Sequence, residues 1–306
     1  MRGPIVLLKE AWAIFAKNPG TYVKIIGMNY LSIMLIGFSG LTIGVLLYFL
    51  TSNTILSIGL PLVTVLPVYV YVQAWFSIAL SNALLSDSEG KHMGAKEALK
   101  ASRQFTIPAF VGQMLIGAIT FGGFIFFIIP GIILSIWFSM FSYILLRENK
   151  KGLRAMMASR DYLKGYTGVV FVYFIAFGLF YLAVSSLPAY IFDKMDMPAL
   201  SSIYNLVSGF VLTPISILFG IGIYHELKRL QGNITEVKDY ESRKYKYIAV
   251  GVVGVFVPIA IVYFAVSNLL PIFQSINWED LYNNSNIIES TELPSEDNSF
   301  VYPEAV

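Results

Sequence analysis

Long apolar runs alternate with short segments rich in Lys and Arg along most of the chain. A helix crossing the roughly 30 Å hydrocarbon core needs about 20 mostly apolar residues, each rising about 1.5 Å. By that measure a first span covers about residues 22–50 and ends at Thr51-Ser52-Asn53. A second covers about residues 55–85, where Pro61 and Pro67 predict a bend. Residues 107–146 carry no charge and are about twice as long as one crossing, so they predict a hairpin of spans three and four. Gly122-Gly123 and Pro130-Gly131 are the available turn residues. A turn just before Pro130 would place the proline in the first turn of span four, where its missing N–H is tolerated. Span five covers about residues 168–187, span six about 200–224 with Pro214 as a kink, and span seven about 247–270. The fold class read from this pattern is all-α, a polytopic transmembrane helical bundle of about seven spans.

Three of the segments between spans are amphipathic. Residues 5–17 place Ile5, Leu8, Trp12 and Phe15 at helical spacing, with Lys9, Glu10 and Lys17 elsewhere around the helix. Residues 95–105 and 153–163 share an Ala-Ser-Arg triplet, at 101–103 and 158–160, followed by the aromatics Phe105 and Tyr162. Helices of this kind lie in the headgroup plane with a basic face toward anionic lipid, giving three cytoplasmic interfacial amphipathic helices. One interfacial helix plus one hairpin is a candidate repeat unit, in copies 1–88, 89–148 and 149–230. The interface also selects similar residues before any span, and the first copy matches poorly, so both explanations stand. The expected organisation is a six-span membrane domain over residues 1–246, a seventh transmembrane helix over 247–271, and a tail over 272–306. From residue 277 that tail holds seven acidic residues and no Lys or Arg, which reads as a disordered, solvated segment or a docking tail for a basic partner.

Charge fixes an expected orientation. All of the 21 Lys and Arg residues except Lys194 fall in segments 1–24, 86–106, 147–166 and 225–247, which seven spans put on one side. The positive-inside rule makes that side cytoplasmic, so the N-terminus is expected inside and the C-terminus outside the cell membrane. Composition agrees with the membrane class: 56% of the 306 residues are hydrophobic and 13% charged, against roughly 25% charged in soluble domains. Mean hydropathy is +0.68. A net charge of +2 without a concentrated basic surface argues against a nucleic-acid partner. The absence of cysteine removes disulfides, thiolate catalysis and sulfur-ligated metals. Residues 5–8 are too short for a signal-peptide core and are followed by Lys9 and Glu10.

Between about residues 25 and 50, and through spans two to seven as drawn, no Asp, Glu, Lys, Arg or His falls at membrane depth. Such residues mark proton relays and ion pathways, so proton-coupled transport is disfavoured and intramembrane catalysis more so. His92 and His225 are isolated at span margins, and no catalytic, metal or phosphate-loop motif is present. The expectation is a protein that is not an enzyme, with no catalytic, cofactor-binding or metal site. An enzyme would instead need carboxylates or histidines converging at the cytoplasmic rim, for example Glu97, Asp161, His92 and Glu226. Uncharged polar residues within the spans, chiefly Asn29, Gln73, Asn82 and Gln113, either line a hydrophilic path or hold a headgroup, or join helices by hydrogen bonds worth about 0.6–2 kcal/mol each. Gly40 and Gly44 form a GxxxG, expected to serve packing inside the bundle rather than dimerisation. Arg103 and Arg160, with Lys100 and Arg154 beside them, are candidates for gripping a lipid phosphate through forked hydrogen bonds. They also fit plain positive-inside anchors.

Leu-Lys-x-Ala-Trp-x-x-Phe at 8–15, Glu-Ala-Leu-Lys at 97–100, Ile-Ile-Pro-Gly-Ile-Ile at 128–133 and the basic helix at 153–164 together form a recognisable pattern. It resembles uncharacterised prokaryotic membrane proteins related to the membrane domain of glycerophosphoryl diester phosphodiesterases, over about residues 5–230. The resemblance implies a multi-span helical bundle with no established activity, since hydrolysis in such enzymes belongs to a separate soluble barrel. No segment here approaches the roughly 250 residues of such a barrel. The leading expectation is a non-enzymatic membrane component that organises or anchors a lipid- or envelope-related process through anionic headgroups, alone or with a membrane or envelope protein partner. The alternative is a transporter or permease subunit for a neutral or amphipathic solute, marked by a hydrated mid-membrane cavity at Gln73, Gln113 or Asn29. Oligomeric state, ligand and source organism are not legible in the sequence.

Overall fold

The computed structural model describes residues 1–234 and 240–275, and every regular element among them is helical. The acidic segment 277–306 falls outside the described residues. The helices are α1 (Pro4–Lys17), α2 (Pro19–Thr51), α3 (Thr54–Ser88), α4 (Ala95–Phe126), α5 (Ile128–Phe138), α6 (Phe141–Arg147), α7 (Leu153–Leu163), α8 (Thr167–Tyr181), α9 (Leu187–Lys194), α10 (Pro198–Gln231) and α11 (Tyr240–Ser275). A π-helical turn, Leu182–Ser186, joins α8 to α9. Seven helical stretches are long and apolar enough to cross a membrane, α5–α6 and α8–α9 each forming one of them. The chain divides into two compact units, Met1–Val255 and Phe256–Val306, and the packed core and the basic ends of the helices belong to the first.

The expected turns are where the sequence put them. Phe127 alone is extended between α4 and α5 (φ −165°, ψ 153°), so Pro130 sits in the first turn of α5 and loses no hydrogen bond. Gly123 and Gly131 let this hairpin close: a Cβ on Gly123 would stand 3.1 Å from the Gly131 Cα. Between α2 and α3, Ser52 is left-handed (φ 53°) and the Asn53 side chain accepts from the Leu56 N–H at 3.1 Å, capping the new helix. The Gly40 and Gly44 faces lie against α3, with a Cβ on Gly44 only 2.9 Å from the Ser57 carbonyl oxygen. The GxxxG therefore serves packing between neighbouring spans, as expected. A groove of about 810 Å³ between these two helices is lined almost wholly by apolar groups, including Ile36, Val65 and Leu66.

Several details differ from the sequence reading. The amphipathic stretch 95–105 is not a separate helix but the opening of α4, which runs through Pro108 without a break. Helices α3, α10 and α11 extend past their apolar runs into charged sequence, because hydropathy marks the hydrocarbon core whereas helical hydrogen bonding continues into water. In the fifth span, Pro188 has no N–H to offer the Val184 carbonyl, and the Tyr204 hydroxyl of α10 donates to that oxygen instead. The π-helical turn falls at this point, as such bulges do where the regular ladder is interrupted.

Burial is uneven along the spans. Between residues 30 and 70 the large apolar side chains of α2 and α3, among them Phe38, Leu46 and Val63, are largely exposed. The close-packed core gathers at the basic ends of the helices, with Ile78, Leu84 and Leu85 of α3, Ile144 and Leu145 of α6, Met156 and Met157 of α7, and Ile223 and Leu227 of α10. Helix α1 closes this core through Leu7, Ala11 and Phe15, Leu7 meeting α10 where Gly222 leaves room.

Candidate functional site

The basic end carries much of the polar side-chain bonding of the described residues, and most of its acids are held by neighbouring donors. Arg147 at the end of α6 donates to Glu89 at 2.8 Å, to Asn82 Oδ1 at 3.1 Å and to Ser86 at 2.9 Å, tying the fourth span to α3. Glu148 accepts from Lys150 (2.7 Å), the Tyr162 hydroxyl (2.7 Å) and the Tyr224 hydroxyl (2.9 Å). Burial works to raise the Glu148 pKa, but these three donors together hold it below the ordinary carboxylate value. Tyr162 is pushed up, first by burial and then by the Glu148 carboxylate. Glu226, with only 3% of its side chain exposed, accepts from Arg2 at 2.6 Å and Arg229 at 2.9 Å. Asp161 takes a forked pair from Arg243 at 2.9 and 3.0 Å, and Asp87 pairs with His92 at 3.0 Å.

Of the example set, Asp161 is paired with Arg243, Glu226 with Arg2 and Arg229, and His92 with Asp87, while Glu97 lines an open hollow. No three His, Asp or Glu side chains among the described residues are grouped as a metal site requires.

Two hollows at this end combine cations with aromatic rings. The first, about 520 Å³, is bordered by Tyr71 and Trp75 of α3 and by Lys96, Leu99, Lys100 and Arg103 of α4. Positions 96, 100 and 103 share one helical face, so three cations stand in a row beside the rings. All three are exposed and have no hydrogen-bond, ion-pair or ring partner among the described residues. Lys100 and Arg103 also border a further opening of about 570 Å³ with Glu97, Ala101 and Gln104. The second ring-lined hollow, about 220 Å³, is bordered by Trp137, Arg160, Arg243, Lys246 and Tyr247 together with Ile119, Leu134 and Val250.

The two are built from corresponding sequence. Trp-Phe-Ser occurs at 75–77 and again at 137–139, each in the span that precedes an Ala-Ser-Arg triplet. Phe76 and Phe138 are both buried, as are Ser102 and Ser159, each 0% exposed. Ser102 accepts from Asn82 at 3.3 Å, while Ser159 donates to the Trp137 carbonyl at 2.6 Å and accepts from the Met140 N–H at 3.2 Å. The serine of each triplet thus binds back to the preceding span, and the arginine after it shares a hollow with that span's tryptophan. Arg160 stacks on Trp137 with its guanidinium carbon 4.6 Å from the ring centroid, whereas Arg103 and Trp75 border their hollow without stacking. The ring nitrogens are occupied elsewhere, Trp75 donating to the Leu99 carbonyl (2.9 Å) and Trp137 to Thr167 (3.1 Å). Tyr71, Trp75, Trp137 and Lys96 were not singled out by the sequence, although the doubled Trp-Phe-Ser was a signal that could have found the tryptophans.

The other candidates have narrower surroundings. Arg154 lies over the Tyr240 ring, 5.2 Å from its centroid. Asn82 is buried and joins α3 to α4 and α6 through Ser102 and Arg147. Asn29 donates to Gln73 at 3.3 Å, leaving the Asn29 oxygen and the Gln73 nitrogen buried without partners. Gln113 is half-buried and has no hydrogen-bond partner among the described residues. Neither the apolar groove nor the three hollows at the basic end are lined by Asn29, Gln73 or Gln113. Searches against family models, curated proteins and solved structures found no match to the chain.

Proposed function

We propose that this integral membrane protein is a non-catalytic component that binds anionic phospholipid headgroups at its basic end, which faces the cytoplasm. The observation that carries the reading is the row of Lys96, Lys100 and Arg103 beside Tyr71 and Trp75. Most acids at this end are paired within the fold, yet these three cations have no ion-pair partner among the described residues at a span margin. Amphipathic rings settle at the headgroup level, where lipid phosphates supply the missing charge. Each basic residue near an anionic surface contributes about 1 kcal/mol, and a guanidinium adds a forked grip on phosphate. Lipid gathered in this way would serve to organise or anchor a lipid- or envelope-related process.

The test is native mass spectrometry of delipidated protein titrated with phosphatidylglycerol or phosphatidylcholine. Preferential binding of the anionic lipid, lost in a Lys100→Gln/Arg103→Gln variant, supports the proposal. Equal binding of the two lipids by the unsubstituted protein removes it.

A second reading, a permease for a neutral solute, is favoured by one observation, the half-satisfied Asn29–Gln73 pair at membrane depth. Solute leak from reconstituted vesicles that disappears on Gln73→Leu would move this reading to first place.

A further inference from the structure

The smaller hollow differs from the first in that its cations come from two helices. Arg160 belongs to α7, while Arg243 and Lys246 belong to α11. The single described carboxylate paired here is Asp161, which Arg243 grips through two bonds. Three cations therefore border a space of about 220 Å³ with one paired acid among the described residues, and Lys246 has no partner among them. Its apolar wall is Ile119, Leu134 and Val250, and its rings are Trp137 and Tyr247. At about 30 Å³ per water, the space equals roughly seven waters, which accommodates one phosphate group with a few waters around it.

We propose that this hollow is a second anion site, which takes a phosphate group and thereby fastens α11 to α7. An anion bonded to Arg160 on one side and Lys246 on the other converts their mutual repulsion into a bridge. The stack on Trp137 holds the Arg160 guanidinium at the edge of the space, so little side-chain freedom is lost on binding. The phosphate belongs either to a free ion or to a phosphomonoester lipid headgroup, which present the same oxygens. The site shares no residue with the Lys96–Lys100–Arg103 row and does not depend on the function proposed for it.

The experiment measures the thermal unfolding midpoint of the full chain in two settings. In lipid-free detergent, inorganic phosphate is compared with chloride at equal ionic strength; in phosphate-free nanodiscs, phosphatidate is compared with phosphatidylcholine. A midpoint raised by phosphate in detergent identifies a site open to the free ion, and one raised only by phosphatidate identifies a lipid site. In either case Lys246→Gln, which removes no described contact, should weaken the apparent affinity about tenfold, and should do so equally in a Lys100→Gln/Arg103→Gln background, where the first row of cations is silent. The proposal is overturned if neither phosphate source raises the midpoint. It is equally overturned if the rise survives in both Lys246→Gln and Arg160→Gln, or is abolished by the Lys100/Arg103 substitutions alone.

Discussion

Arg160 sits over the face of Trp137, its guanidinium carbon 4.6 Å from the ring centroid, and the corresponding pair earlier in the chain, Arg103 and Trp75, flanks an open hollow instead. One sequence pattern has thus produced two arrangements. The difference lies in what stands nearby: α11 brings Arg243, Lys246 and Tyr247 to the second pair, while the first is flanked by the free lysines of α4.

The stacked pair gives the first prediction. Removing the guanidinium with Arg160→Ala should lower stability by about 0.5–2 kcal/mol, the range for a cation over an indole. Arg160→Lys should retain part of it. Thermal unfolding in detergent reads both, and an unchanged midpoint for the alanine variant would contradict a stabilising stack.

Arg147 is expected to matter more. It satisfies Glu89, Asn82 and Ser86 at once, and only 23% of its side chain is exposed. Arg147→Ala strands a carboxylate and a buried amide oxygen, so the loss should be about 1.5–3 kcal/mol. Denaturant titration in mixed micelles is the measurement, with Asn82→Ala expected to be non-additive because both residues share one contact.

Glu148 carries a pH dependence whose sign follows from its depressed pKa. The carboxylate is favoured in the fold, so its stabilisation is complete above the unfolded value of about 4.3 and is lost as pH falls through the lower folded value. The midpoint of the unsubstituted protein should therefore decline below about pH 4.5 more steeply than that of Glu148→Gln. Parallel profiles would show that Lys150, Tyr162 and Tyr224 do not favour the charged form.

The close approach of α11 to α4 is testable by a methyl group. A Cβ on Gly254 would fall 1.8 Å from the Ala118 carbonyl oxygen, whereas one on Gly117 meets nothing within 4 Å. Gly254→Ala should cost about 1–3 kcal/mol, while Gly117→Ala, next to Ala118 on α4, should be neutral or stabilising by up to about 1 kcal/mol. Equal effects of the two in thermal unfolding would contradict this packing.

Much of the architecture was legible because the hydrocarbon core imposes a length. Uncharged runs of known length gave the number of candidate spans, and Phe127 turns the chain just before Pro130, where the proline loses no bond. Less legible was the continuity of α4, since an amphipathic stretch and a span read as two patterns but share one unbroken helix through Pro108. Of the candidate residues, Lys100 and Arg103 are exposed without a partner among the described residues, whereas Arg154 is engaged by Tyr240, a partner from α11 far along the chain. Asn82 read as a path residue or, more readily, as a helix joint, and its bonds to Arg147 and Ser102 become visible only in the structure. The rings that complete the two hollows were hidden among many apolar neighbours, where a tryptophan looks like any other span residue until its cation is placed beside it.

The most direct test of headgroup binding is to extract the protein from its membrane with native lipid in polymer discs and quantify the co-extracted lipids by mass spectrometry. The unsubstituted protein should be enriched in anionic phospholipid over the bulk membrane, and Lys100→Gln/Arg103→Gln should reduce that enrichment roughly thirtyfold in affinity terms, from about 1 kcal/mol per cation. Co-extracted lipid that mirrors the bulk membrane, or an enrichment untouched by the two substitutions, would contradict a headgroup site at this row of cations.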